Sequence, residues 1–393
     1  MLEIKPKIKQ KIILSCSALL LFSSQFVLAD TYPVTVTDVA GRTITIEQEP
    51  QNIALSTGRV FPLLEMIYQD KAVDHLVAWR DDMRLSAPSM YRDYLSIYPQ
   101  LKKVVKIGKV KSGEFDTERF INMQRRPDLF VLDISNVKLA QDKGLIKKLD
   151  KLGIKVLAID FRENPVKNTV QSVTSLATAL GHKAQGEKFA TYYQQHVNVL
   201  KTRIADLEEQ GKTKVFIERA AGYHESCCNT FATGNMGAYV SFLQATNIAD
   251  KPLKGAITGQ MSVENVISYQ PDVYIMQTTG WLDKEGNPTA GIPFGYAPLN
   301  AKAMQSATAN IMARPWLKAL SAYQNKRIYS IYMPFYNSPY NLVAMEYFAK
   351  WIYPQAFKDL DPEKTFVEMN QRFAQRQVQG RFGQDNFKVI ASE

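Results

Sequence analysis

The stretch PDLFVLDISNVKLAQDKGLIKKLDKLGIKVLAI, residues 127–159, decides the fold class. It contains two short runs, LFVL at 129–132 and VLAI at 156–159, that are apolar at every position. A strand with one wet face alternates polar and apolar residues. A strand covered on both faces does not, and that is the mark of a parallel sheet. Between the runs, residues 144–152 read as a helix stopped by Gly153. Strand, helix and strand in that order make a βαβ unit.

Working outward, the same grammar continues. Upstream, residues 32–46 (YPVTVTDVAGRTITI) alternate around a turn and predict a hairpin, residues 52–55 a short strand, and residues 61–68 a helix. Downstream, residues 165–180 predict a helix opened by Pro165 and closed by Gly181. A second helix is predicted over 184–209. Its apolar positions Phe189, Tyr193, Val197, Leu200, Ile204 and Leu207 keep helical spacing, and it would be about 39 Å long. The α/β pattern then restarts, with strands at 215–217, 273–276 and 328–331 and helices at 236–243, 316–323 and 342–351. The chain therefore reads as two α/β lobes separated by one long helix.

A weak internal repeat supports this division. Thr117-Glu118 leads through a helical stretch to Pro127-Asp128 and an apolar strand; Val263-Glu264 leads likewise to Pro271-Asp272 and another. An acid in a first helical turn has a bland cause, the helix dipole. The repetition of the whole arrangement is what that cause does not predict.

Composition sets limits on function. The 393 residues carry a net charge of +10, with no concentrated basic tract, so nucleic-acid binding has no support. Three cysteines exclude a disulfide scaffold. No HExxH, CxxC, GxxxxGK[ST], GxGxxG or GxSxG occurs, which removes the common zinc, phosphate-loop and hydrolase signatures. Residues 1–29 read as a signal peptide: Lys5, Lys7, Lys9 and Lys11, then an apolar run, then Val27-Leu28-Ala29 before a cleavage point. Its removal takes away four Lys and one Glu, so the net charge falls to +7. An exported protein of the bacterial periplasm is expected.

The residues 32–55, YPVTVTDVAGRTITIEQEPQNIAL, resemble the opening of periplasmic binding proteins of iron–siderophore and cobalamin ABC importers. The two acid-to-Pro-Asp segments match that family once in each lobe. CCNT at 227–230 through NIA at 247–249, YNSP at 336–339 and WIYP at 351–354 also match. The resemblance covers nearly all of 32–375. It implies two Rossmann-like lobes joined by a single long helix, with the ligand in the cleft between them. The divisions are then 30–164 for the first lobe, 165–211 for the linking helices and 212–393 for the second lobe. It further implies a monomer that is not an enzyme, needs no cofactor and holds no metal of its own. Its cargo would be a ferric siderophore or other metal chelate. Glu118 and Glu264 would dock on the ABC permease.

Loops leaving strand ends should line such a cleft. They offer Arg59, Trp79, Arg80, Tyr223, Trp281 and Tyr336 as ligand-binding candidates. Arginine donates a planar fork to anionic oxygens, and Trp and Tyr give flat faces with a polar tip. Haem, cobalamin or an oxyanion such as molybdate are alternative cargoes, and a secreted α/β hydrolase is a disfavoured reading from another class. His224, Cys227 and Cys228 lie within five residues of one another, open to a soft-metal site, a vicinal disulfide or free thiols. Gly234 to Gly237 precede a helix and suit either an anion or a tight turn.

Overall fold

The computed structural model describes residues 1–2, 31–208, 211–223 and 227–391. Almost all of the leader, and His224, lie outside these residues. The hairpin forms as β1 (Val34–Thr37) and β2 (Thr43–Ile46), paired antiparallel. The first sheet holds β3 (Ile53–Leu55), β4 (Leu76–Trp79), β5 (Val105–Lys106), β6 (Leu129–Asp133) and β7 (Lys155–Ile159). Their order is β5-β4-β3-β6-β7, and every pairing is parallel. All five residues of β6 are buried, as the unbroken apolar run requires.

The second sheet is built from β8 (Lys214–Arg219), β9 (Asn229–Phe231), β10 (Thr246–Asn247), β11 (Thr258–Gln260) and β12 (Val273–Thr278). After β13 (Gly295–Tyr296) come β14 (Ile328–Tyr332), β15 (Gly380–Arg381) and β16 (Gly383–Asp385). The order is β11-β9-β8-β12-β14-β16, with β10 beside the start of β8. The strands β8, β10, β12 and β14 run parallel; the β8–β9, β9–β11 and β14–β16 pairings are antiparallel, with β11 and β16 at the edges. In both lobes the strand order reverses beside the first strand, between β3 and β6 and between β8 and β12. Open α/β sheets bind ligands at such switch points.

The Pro-Asp repeat has one physical job in both lobes. Asp128 Oδ2 accepts the backbone N–H groups of Gln51 (3.0 Å) and Asn52 (2.9 Å) at the start of β3. Asp272 Oδ2 accepts the N–H of Lys214 (2.8 Å) at the start of β8. Each aspartate thus fixes the register of its lobe's first strand.

The helices Pro165–Ala179 and Lys183–Ala205 pack on each other between the two sheets. Gly186 permits the close approach, because a Cβ there would come within 2.8 Å of Ala177 Cβ. Phe189, Tyr193, Val197, Leu200 and Ile204 are buried, as their spacing predicts. The long helix ends at Ala205, a turn short of 209. Asp206 and Glu208 place carboxylates at the negative end of its dipole, which disfavours continuation. The helix expected over 316–323 is two short pieces, Pro315–Ala319 and Ser321–Gln324, because Leu320 between them is extended.

The chain end does not stay with the second lobe. Beyond the helix Pro362–Met369, Phe373 packs on Phe189 and Tyr192, each at 5.5 Å between ring centroids. Arg376 then reaches into the first lobe, where Nη1 lies 3.4 Å from Glu65 and Nη2 bonds Asp93. Its guanidinium covers the Tyr94 ring at 4.6 Å. The chain returns through β15, paired with β13, to β16 on the edge of the second sheet.

Candidate ligand-binding cleft

A cleft of about 690 Å³ opens between the lobes. The loop after β3 supplies Arg59. Asp82 shapes that loop by accepting the Thr57 hydroxyl (2.7 Å), the Gly58 N–H (2.6 Å) and Arg59 Nε (2.8 Å). The loop after β7 supplies Arg162 and Glu163. The buried Asp160 carboxylate folds it, accepting the N–H groups of Arg162 (2.7 Å), Glu163 (2.7 Å) and Asn164 (2.8 Å). From the second lobe come Arg219 at the end of β8, Tyr223 after it, Gln277 on β12, Trp281 beyond it, and Tyr336 after β14.

Aromatic groups form two parts of the wall. Tyr223 and Trp281 meet edge to face at 5.2 Å. Gly291 lets the loop carrying Trp281 close on itself; its φ is +127°, and a Cβ there would collide with the Trp281 ring. Tyr336 lies between two guanidinium groups, Arg59 at 5.0 Å and Arg162 at 5.2 Å from its ring. Burial pushes the Tyr336 phenol up, but Arg59 and Arg162 outweigh it and hold the group below its ordinary value.

The cleft is electropositive. Arg59, Arg162, Arg219, Lys111 and Lys284 line it, against the carboxylates Glu163 and Asp283. No described histidine lines it: His75 and His182 lie against Tyr68, and His196 pairs with Glu346. Among the described residues there is no group of three or more His, Cys, Asp or Glu able to hold a metal ion. Cys227 and Cys228 are joined as a vicinal disulfide.

A family profile described as "Periplasmic binding protein" matches residues 70–333, well over half of the chain. The chain belongs to the periplasmic binding protein family. Such proteins bind and transport solutes and are not enzymes. One relative of this binding protein is an uncharacterized ABC transporter substrate-binding lipoprotein, YvrC of Bacillus subtilis. It is 24% identical over 84% of this chain and 88% of its own. Another is the molybdate-binding protein MolA of Haemophilus influenzae, 20% identical over 86% of this chain and 88% of its own. The solved structure of the TroA-like periplasmic binding protein FepB from Veillonella parvula shares the fold, with a TM-score of 0.79 at 20% identity. That match covers 90% of this chain and 99% of the other.

Within the binding protein, the structure brings Arg59, Tyr223, Trp281 and Tyr336 to one cleft. It does not bring Trp79 or Arg80 there. Trp79 is 1% exposed and packs in the first lobe's core against Phe61 and Tyr91. Arg80 turns toward Asp82, at 3.7 Å. Arg162 and Arg219, absent from the sequence-based candidates, do line the cleft. Arg219 ends β8 and Arg162 lies just beyond β7, so the rule that nominated Arg59 applies to them equally. Gly237 serves packing, since a Cβ there would strike the Ala232 carbonyl. Glu118 and Glu264 lie in first helical turns, capped by Asp116 and Ser262. Glu118 pairs with Lys148 at 2.6 Å, whereas Glu264 meets no cation among the described residues.

Proposed function

We propose that this protein captures an anionic metal chelate of the ferric siderophore class in the periplasm and hands it, chemically unchanged, to an ABC permease in the inner membrane. The observation that carries this reading is the charge of the cleft: five cations face two carboxylates beside Tyr223, Trp281 and Tyr336. Arginine forks match anionic oxygens, and aromatic faces match the flat donor groups of a chelate. The volume also speaks to size. A bare four-oxygen anion would fill a small part of 690 Å³, while a chelate wrapped around an ion uses most of such a space. Export through the leader at 1–29 supplies the location. Among the described residues no helix is long and apolar enough to cross a membrane. The MolA relative gives molybdate a place among the probes.

The test is a titration of the leaderless protein, following tryptophan fluorescence. Ferric complexes of catecholate, hydroxamate and carboxylate chelators are added separately, alongside molybdate, haemin and cobalamin. Trp281 at the cleft makes quenching by a bound ferric chelate the expected result. Saturable binding of molybdate alone would overturn the reading. Glu118 and Glu264 are the proposed permease contacts. Glu264→Arg should block uptake in cells while leaving the titration unchanged; impaired titration would place Glu264 in the fold or the site instead.

A further inference from the structure

Three arginines line the cleft, and their surroundings differ. Arg59 is 5% exposed, and two of its three nitrogens are committed, one on each side of the cleft. Nε donates to Asp82 in the first lobe at 2.8 Å. Nη1 donates to the Tyr336 hydroxyl in the second at 2.6 Å, with Met333 Sδ at 3.6 Å. Two further bonds cross beside it: Asn337 Nδ2 to Thr57 Oγ1 at 3.2 Å, and Ser89 to Tyr332 between hydroxyls at 3.1 Å. Arg162 and Arg219 have no such partners. Neither forms an ion pair among the described residues, and each lies over a ring, Tyr336 at 5.2 Å and Phe231 at 5.8 Å. Gln277 stands next to Arg219 in the β8–β12 pairing and is 1% exposed. Its Nε2 is buried with no acceptor among the described residues.

We infer that the arginines divide the work: Arg59 is a positioning residue that pins the lobes together at the cleft through Tyr336, and Arg162 and Arg219, one from each lobe, are the groups that pair with the ligand's anionic oxygens. A guanidinium whose charge is already paired with a buried carboxylate gains little more from a ligand's anionic oxygens. A guanidinium in no direct ion pair has its N–H donors open for a charge-assisted bond to the ligand. The unfilled Gln277 donor marks the Arg219 side as built for an acceptor that the protein itself does not supply. A ligand that meets both arginines must straddle the cleft. The assignment of Arg162 and Arg219 rests on the anionic-chelate reading; that of Arg59 needs no ligand.

The experiment has two arms. In the first, amide hydrogen exchange is followed in the empty protein for Arg59→Met, Tyr336→Phe, their double variant, Arg162→Gln and Arg219→Gln. Arg59→Met and Tyr336→Phe should each speed exchange in both 56–60 and 333–338, and the double variant should add little to either, because one bond is shared. Arg162→Gln and Arg219→Gln should leave exchange there unchanged. Tyr336→Phe keeps the Arg59–Asp82 pair, so this arm survives if Arg59→Met does not fold. In the second arm, wild type and variants are titrated with a ferric tris-catecholate at low and high salt. Arg162→Gln and Arg219→Gln should each weaken binding about tenfold or more and flatten its salt dependence. Tyr336→Phe should retain the wild-type salt dependence. Unchanged exchange in Tyr336→Phe would overturn the role of Arg59. Wild-type binding by both Arg162→Gln and Arg219→Gln would overturn theirs. A wild type that binds no ferric chelate would remove the anionic-chelate reading and the Arg162 and Arg219 assignment with it, while the exchange arm still decides Arg59.

Discussion

At the scale of single residues, Asp82 is the group on which the cleft's geometry turns. Burial disfavours its charge, but Arg59, Arg80 and the Thr57 hydroxyl outweigh burial and hold its carboxyl below the ordinary 3.8. A carboxyl with a depressed folded pKa stabilises the fold fully above its unfolded pKa, and that contribution disappears as pH falls through the folded one. Asp82→Asn should therefore cost about 3 kcal/mol at neutral pH, where it strands a buried guanidinium. Its deficit relative to wild type should shrink on acidification below about pH 4. Urea midpoints across pH would show this, and a deficit constant with pH would refute it. The same neighbourhood shows what a sequence conceals at this scale. Arg59, Arg80 and Arg162 follow strands and Trp79 ends one, and the chain alone does not say which strand-end side chains turn into the cleft. Trp79 turns inward because β4 is buried on both faces, and the Phe61 and Tyr91 rings receive it. Arg162 turns outward because Asp160 folds its loop.

At the scale of elements, the apolar runs give the central strands of both sheets, while helix periods fail over 316–323, which Leu320 breaks in two. The strands β3, β6, β7, β8, β12 and β14 fall on the predicted runs, because unbroken apolar sequence has one stable home, between two covering layers. The short edge strands β5, β10, β13 and β15 were illegible: two residues hold no pattern, and their pairing is set by partners far along the chain. Two predictions belong here. Asp160→Ala removes the acceptor for three backbone N–H groups and Asn168 Nδ2, leaving part-buried donors unmet. The expected loss is about 3 kcal/mol, together with weakened chelate binding as Arg162 loses its loop. Retained binding in a destabilised protein would separate the two effects and count against the loop's role. Gly186→Val tests the helix pair. A side chain driven into Ala177 and Thr174 should lower stability by about 1–3 kcal/mol, read as a fall in thermal midpoint. An unchanged midpoint would mean that the helices can part freely.

At the scale of the whole molecule, the long helix is not the only tie between the lobes. The segment around Arg376 is a second one, running from the second lobe across the long helix into the pocket of Glu65, Asp93, Tyr94 and Tyr98. Nothing in the sequence announced it, because Arg376 meets partners some three hundred residues away. Burial holds the Glu65 carboxyl above its ordinary value, and Arg376 with the Tyr94 and Tyr98 hydroxyls only partly pulls it back. Removing the cation therefore leaves two carboxylates that are costly to keep charged. Arg376→Met should destabilise the protein by about 3–5 kcal/mol at neutral pH. The deficit should narrow as pH falls and Glu65 and Asp93 take up protons, since the variant's folded state then binds more protons than its unfolded state. With these two ties and the Arg59–Tyr336 bridge intact, ligand binding should move the lobes little: the radius of gyration, about 21 Å for a chain of this size, should change by less than about 1 Å on adding a saturating ferric chelate. In Arg376→Met the empty protein should expand and the ligand should draw it back. If the variant's scattering profile matches wild type with and without chelate, the chain's end does not set the lobe angle and is only a cover over the first lobe.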